Sequence, residues 1–212
     1  MGQMEPMIPL KVLQRLPVYL PLLKEKKREG QIYTASSAIA AELGLTEIQV
    51  RKDLATVSKG GRPKVGYAIV DLIHDIEKAL GYDNINDAVL VGAGKLGRAL
   101  MDYQGFREYG VNIVAGFDIN AKENETEGGK PVYPMDKLED LCERMQIHMG
   151  IITVPAHAAQ EACDRLIAAG VVAIWNFAPV HLVTPEDIYV KRENMAASLA
   201  VLSNYLKVKM QQ

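Results

Sequence analysis

Residues 86–100 read NDAVLVGAGKLGRAL, and the order of events in that stretch decides the fold class. A short apolar run at 88–91 suits a buried strand, and it passes directly into Gly92-x-Gly94-x-x-Gly97 and a helix. A glycine turn of this spacing carries meaning between a strand and a helix, and that is where it stands. Gly92 permits the tight turn, Gly94 lets a pyrophosphate approach the backbone, and Gly97 lets the helix lie against the strand. Ala93, Lys95 and Leu96 fill the turn and the helix start, where free amides face phosphate. A second strand is expected at 111–117, ending at Asp118, 21 residues past Gly97. A carboxylate there binds adenosine ribose hydroxyls and repels a 2′-phosphate, and neither Ile119 nor Asn120 supplies the cation that would suit NADP(H). NAD(H) is therefore the expected cofactor. Related domains use a similar glycine turn for coenzyme A, and that alternative stays open here.

Downstream, 149–154 reads as a strand ending in Thr153, Val154 and Pro155, 158–169 as a helix, and 171–175 as a strand leading into Asn176, Phe177, Ala178 and Pro179. Ligands bind at the C-terminal ends of parallel strands, so these residues are candidates for the rest of the cofactor site. The prolines also serve simply to end strands. This alternation is α/β, a Rossmann-type doubly wound parallel sheet over residues 83–190. Met195, Leu199, Leu202 and Leu206 then form an apolar seam in 191–212, which wants either its own domain or another subunit as partner.

Upstream, residues 11–29 carry a helical apolar stripe interrupted by Pro17 and Pro21, where an early start, kink or stagger is expected. In the following SSAIAAELGLTEIQVRKDLATV, Ser36 or Ser37 is expected to cap a helix that Gly44 ends. Thr46-x-x-Gln49 has the form of a capping box at the start of the next helix. Ile39, Leu43, Leu45, Val50 and Leu54 suit a helix-turn-helix, although an ordinary helical hairpin reads the same way. The outer face of its second helix shows Gln49, Arg51 and Lys52, chemistry that reads bases and neutralises phosphate. SKGGRPKVGY then offers a glycine-rich loop with Lys59, Arg62 and Lys64, suited to a basic wing. An amphipathic helix at 68–80 ends the domain, taken as 1–82.

The net charge of −2 hides an asymmetry: residues 11–66 carry 11 Lys/Arg against 5 Asp/Glu, and residues 83–212 carry 12 against 17. A basic module on an acidic sensing domain is the expected pattern of a nucleic-acid-binding regulator. No apolar run approaches the ~20 residues of a membrane span. The N-terminus lacks a signal-peptide layout, and Gly2 lacks the Ser or Thr that myristoylation wants. Cys142 and Cys163 fit no metal-ligand pattern, and reduced thiols are a simpler reading than a disulfide. A soluble cytoplasmic protein without metal or membrane partner is expected.

Taken together, RLPVYL (15–20), QVRKDL (49–54), VGY (65–67), VGAGKLGRAL (91–100), the FD pair (117–118), IITVPAHAAQ (151–160) and NFAPVHL (176–182) resemble the Rex family of bacterial redox-sensing repressors. The resemblance implies a winged helix-turn-helix, a Rossmann domain and a C-terminal helix (191–212) exchanged in a homodimer. It implies binding of double-stranded operator DNA in the free or NAD⁺-bound state and release by NADH, without catalysis. The glycine turn and Asp118 would hold NAD⁺ or NADH, with Thr153, Val154, Pro155 and Asn176, Phe177, Ala178, Pro179 lining the remainder. Thr46, Gln49, Arg51, Lys52, Lys59, Arg62 and Lys64 would face DNA. The chain departs from the family where members read SYFGEFGKRG, against ATVSKGGRPK at 55–64. It also has Pro21 and Asn194 where a switching Arg and Asp commonly stand, leaving Tyr103 of that cluster. An NAD-dependent oxidoreductase is the rival reading. It would need an acid or base such as His157 or His181, and a substrate domain that about 130 residues do not accommodate.

Overall fold

The computed structural model describes residues 8–121 and 124–211, so Gly2 and the rest of residues 1–7, with the expectations placed on them, lie outside the described residues. Two compact units are formed by Met1–Asn84 and Ile85–Gln212. No helix among the described residues is long and apolar enough to cross a membrane.

The first unit contains α1 (Leu10–Arg28), β1 (Tyr33–Thr34), α2 (Ser36–Leu43), α3 (Glu47–Val57), β2 (Tyr67–Ala68) and α4 (Ile69–Ala79). α1 is one continuous helix that contains Pro17 and Pro21 while burying Val12, Leu16, Tyr19, Leu20 and Leu23. Burial of such side chains contributes roughly 1.5–3 kcal/mol each, which outweighs the ~3 kcal/mol a proline costs in a helix. Neither Ser36 nor Ser37 caps α2; the cap position is Ala35, with no side-chain bond. The antiparallel pairing of Thr34 with Tyr67 delivers the chain to the helix at that point, so strand register overrides the better capping residue. Gly44 ends α2 in the left-handed region at φ 64°, and the Thr46 hydroxyl accepts the Gln49 N–H at 3.3 Å to start α3.

One carboxylate sets the position of α3. Asp53 is buried, and both its oxygens are used: Arg15 Nε donates to Oδ2 and an Arg15 terminal nitrogen to Oδ1, each at 2.7 Å, and the Tyr19 hydroxyl donates to Oδ2 at 2.7 Å. Burial alone would raise the Asp53 pKa, but the bonds from Arg15 and Tyr19 and the guanidinium charge outweigh it and hold the carboxyl below its usual range.

The second unit contains β3 (Asn86–Val91), α5 (Lys95–Asp102), β4 (Val111–Asp118), β5 (Asn124–Glu125), β6 (Pro131–Pro134), α6 (Leu138–Met145), β7 (Met149–Ile152), α7 (Ala159–Ala168), β8 (Ala173–Asn176), β9 (Tyr189–Arg192) and α8 (Met195–Met210). The sheet order is β5-β6-β4-β3-β7-β8-β9, parallel apart from the β5–β6 pair. Strand order reverses at β3, so the C-terminal ends of β3 and β7 lie side by side at the switch point where such sheets bind ligands. One core joins Val89, Val91, Phe117 and Ile152 to Leu138, Cys142, Cys163 and Leu166 of α6 and α7; the other joins Leu90, Ile113 and Ile151 to Met101 of α5. Both cysteines are free and buried, and burial raises each thiol to about 11.

The Asp53 clamp gives a stability test. Asp53→Asn should lower the first unfolding transition of the full chain in urea by about 2–3 kcal/mol, the scale of lost bonds to a charged group. Since the native pKa is depressed, the clamp's contribution is complete above about pH 4 and fades as pH falls through the native value. Acid should therefore destabilise the wild type at that transition more than the Asn variant. Parallel pH profiles would refute the clamp.

Candidate cofactor cleft and nucleic-acid surface

The glycine turn is held from two sides. Gly92 takes φ 102°, and a Cβ there would meet the backbone of Thr153 and Val154 within 2.9 Å. Its carbonyl accepts the Thr153 hydroxyl at 2.7 Å, and its N–H donates to the Phe117 carbonyl at 2.7 Å. A Cβ on Gly97 would stand 2.2 Å from the Gly92 carbonyl oxygen, so glycine is required for α5 to lie this close. Gly94 differs: nothing lies within 4 Å of its Cβ position, leaving the approach to the first amides of α5 open. That space is what a pyrophosphate at a helix N-terminus needs.

A cleft of about 440 Å³ opens beside this turn and brings together six of the expected residues: Gly92, Gly94, Asp118, Thr153, Val154 and Pro155. One Asp118 oxygen accepts the Asn120 N–H at 2.8 Å. Ile119 and His157 also line the cleft, and the sequence reading missed Met135, Ala158 and Ala162, with Glu161 and Arg165 beside them. Arg165 is spent on Glu139, which accepts two bonds of 2.9 Å, and on the Met135 carbonyl. The Arg165 bonds hold the Glu139 carboxyl below its ordinary range.

The other expected cofactor residues do not line this cleft. Ala93 and Gly97 are buried in the turn, Lys95 and Leu96 are exposed at the start of α5, Ala178 is in the core and Pro179 is exposed. Asn176 is fully buried and shapes its own loop: its side chain accepts from the Ala178 N–H at 2.9 Å and donates to the Val180 carbonyl at 3.1 Å. Gln160 ties the two C-terminal motifs together by exchanging two 2.9 Å bonds with the backbone of Val183. Phe177 continues an aromatic row in which Tyr103–Phe106, Phe106–Trp175 and Trp175–Phe177 centroids are 4.9, 5.6 and 4.6 Å apart. Asn194 caps α8 by accepting the Ala197 N–H at 3.0 Å, and every residue of α8 is exposed.

In the first unit Thr46, Arg51, Lys52, Lys59, Arg62 and Lys64 are exposed, and Gln49 is partly so. The basic loop closes as a tight hairpin, with Arg62 and Gly66 bridged and a turn at Pro63–Lys64. Lys64 sits at φ 65°, a conformation that favours glycine and that Pro63 before it sets up as the second corner of a type II turn.

Residues 83–180 match the family model of a CoA binding domain, and residues 7–55 that of a DNA-binding protein N-terminus. A redox-sensing transcriptional repressor Rex of Porphyromonas gingivalis is 40% identical over 94% of this chain and 92% of its own length. The same-named protein of Treponema denticola is 39% identical over 93% and 94%. The chain belongs to the Rex family. Among solved structures, a crystal structure of RSP, a Rex-family repressor, superposes with a TM-score of 0.86 at 30% identity, covering 97% of both chains. RSP in complex with NAD⁺ and operator DNA gives 0.89 at 31% identity, covering 97% of this chain and 95% of RSP. The curated Rex relatives are named as repressors, not enzymes. The family also accounts for the N-terminal winged helix and the C-terminal Rossmann fold in one chain.

Two glycines separate fold from binding. Gly94→Ala should melt like wild type yet lose at least about tenfold in dinucleotide affinity, because its methyl group occupies the phosphate approach. Gly97→Ala should lose both, with destabilisation of about 1–3 kcal/mol from the forced shift. Calorimetry and thermal melts read the two separately, and equal behaviour of the two variants would contradict the geometry.

Proposed function

We propose that this chain holds operator DNA in its free or NAD⁺-bound form and is released by NADH, a repressor reporting the NADH/NAD⁺ balance. The observation that carries this is the cleft at the switch point, where open space over Gly94 and the Asp118 carboxylate meet in a chain that also presents α3 and a basic wing. In this reading the first amides of α5 hold the pyrophosphate and Asp118 the adenosine ribose. The Arg165 guanidinium is paired with Glu139, and the Asp118 carboxylate would repel a 2′-phosphate, which supports NAD(H) over NADP(H) although His157 also lines the cleft. NAD⁺ and NADH differ in the charge and shape of the nicotinamide, so discrimination belongs to the loops carrying Thr153, Val154 and Pro155 and Asn176, Phe177, Ala178 and Pro179. Tyr103, at one end of the aromatic row, is assigned to the switch. Gln49 and Arg51 read bases, while Thr46, Lys52, Lys59, Arg62 and Lys64 hold phosphate. A cytoplasmic location suits both DNA and cofactor.

Dimerisation by exchange of α8 is part of the proposal. Met195, Leu199, Leu202 and Leu206 are each more than half exposed, and a helix this apolar needs cover that its own unit does not provide. Leu199→Asp with Leu202→Asp should yield monomers or unfolded chain, and a wild type that sediments as a stable monomer would overturn the exchange.

Gel-shift titration on the chain's own promoter region tests the whole reading. NADH should release DNA, NADPH should need far higher concentrations, and coenzyme A should have no effect. Asp118→Ala should narrow the NADH/NADPH gap. Release by coenzyme A instead would favour the function suggested by the match over residues 83–180.

A further inference from the structure

We infer that Trp175 and Glu193 form the link through which the cofactor loop sets the direction of α8, an inference that rests on the proposed NADH-driven release. β8 delivers Trp175 and Phe177 to the same face of the sheet, with their rings 4.6 Å apart. The Trp175 indole N–H donates to Glu193 Oε1 at 3.0 Å. The Glu193 N–H donates to the Asn176 carbonyl at 2.8 Å. Glu193 is thus fastened twice, by side chain and by backbone, to the two residues that open the Asn176–Phe177–Ala178–Pro179 loop. The residue after it, Asn194, caps α8.

Burial marks the same boundary. Glu193 is partly buried, whereas every residue from Asn194 to the end of α8 is exposed, so Glu193 is the last position that its own unit grips. A bond from an indole to a carboxylate is charge-assisted and directional. It acts at the root of a long lever: the 16 residues of α8 span about 24 Å, so a turn of about 10° at the root moves the far end by about 4 Å. Phe106 lies edge-on to Trp175 at 5.6 Å, and Tyr103 edge-on to Phe106 at 4.9 Å, so a shift of Phe177 reaches both Glu193 and Tyr103 through one indole. Trp175 and Glu193 are positioning residues, since neither lines the cleft nor belongs to the DNA-facing unit.

The test uses the full-length protein and measures coupling from both sides: operator affinity with and without NADH, and NADH affinity with and without operator duplex. Reciprocity requires the same factor in both directions. Trp175→Phe keeps the ring and removes the donor, Glu193→Ala removes the acceptor, and Glu193→Gln restores an acceptor oxygen. In the first two, each affinity measured alone should stay within about twofold of wild type while the coupling factor falls at least about fivefold. Glu193→Gln should recover most of it. Trp175 is the chain's one tryptophan, so its emission should change in Glu193→Ala and return in Glu193→Gln. Wild-type coupling in both Trp175→Phe and Glu193→Ala would overturn the link. So would a loss of coupling that comes only with lost NADH affinity and a lowered melting temperature. A wild type that binds NADH without weakening on operator would overturn the functional reading itself, independently of the variants.

Discussion

The backbone of Gly92 is the fixed point of the C-terminal unit. Its carbonyl is gripped by the Thr153 hydroxyl on one side and faced by the bare α-carbon of Gly97 on the other, and its N–H is bonded to β4. Three parallel strands and α5 are therefore registered on one residue. The turn is thereby fixed in place while the space above Gly94 stays clear. The same arrangement explains why Thr153 follows β7: its hydroxyl is a structural brace for the turn as well as a lining group.

The DNA-facing unit solves a similar problem with charge in place of close approach. Its core is small, and α3 must be held at a fixed angle to α1 without a long strand to register them. Asp53 does this from inside α3 by accepting three bonds from α1, which leaves Arg51 and Lys52 turned outward on the same helix. A buried carboxylate is costly unless fully satisfied. Here each oxygen is occupied, and no side-chain polar atom buried among the described residues lacks a partner.

What the sequence made legible divides along physical lines. Gly92 and Gly97 were readable because the close approach of strand, turn and helix leaves no room for a side chain, and Asp118 because it follows the apolar run of β4 at that strand's C-terminal end. The start of α3 followed from its Thr46 cap, and α4 from its apolar period. The path of α1 through Pro17 and Pro21 was not legible, since local propensity there is overruled by burial of Leu16, Tyr19 and Leu23. β9 carries the polar run Tyr189–Arg192 at an edge, with no alternation to announce it. The far wall of the cleft escaped because Met135 is distant in sequence and Ala158 and Ala162 are chemically plain. Asn176 drew notice as a ligand candidate for its polarity, while its bonds fold its own loop. Asn194 was weighed as a lost charge, and it is a helix cap.

Cys142 and Cys163 lie in the core behind the cleft, with thiols raised to about 11 by burial. Burial keeps both thiols protonated at neutral pH, and the thiolate is the nucleophile that attacks peroxides and disulfides. A protein meant to report the hydride balance of a diffusible nucleotide gains from this chemical deafness. Two protonated thiols buried in the core are poor targets for oxidants, which keeps thiol chemistry apart from the nucleotide site.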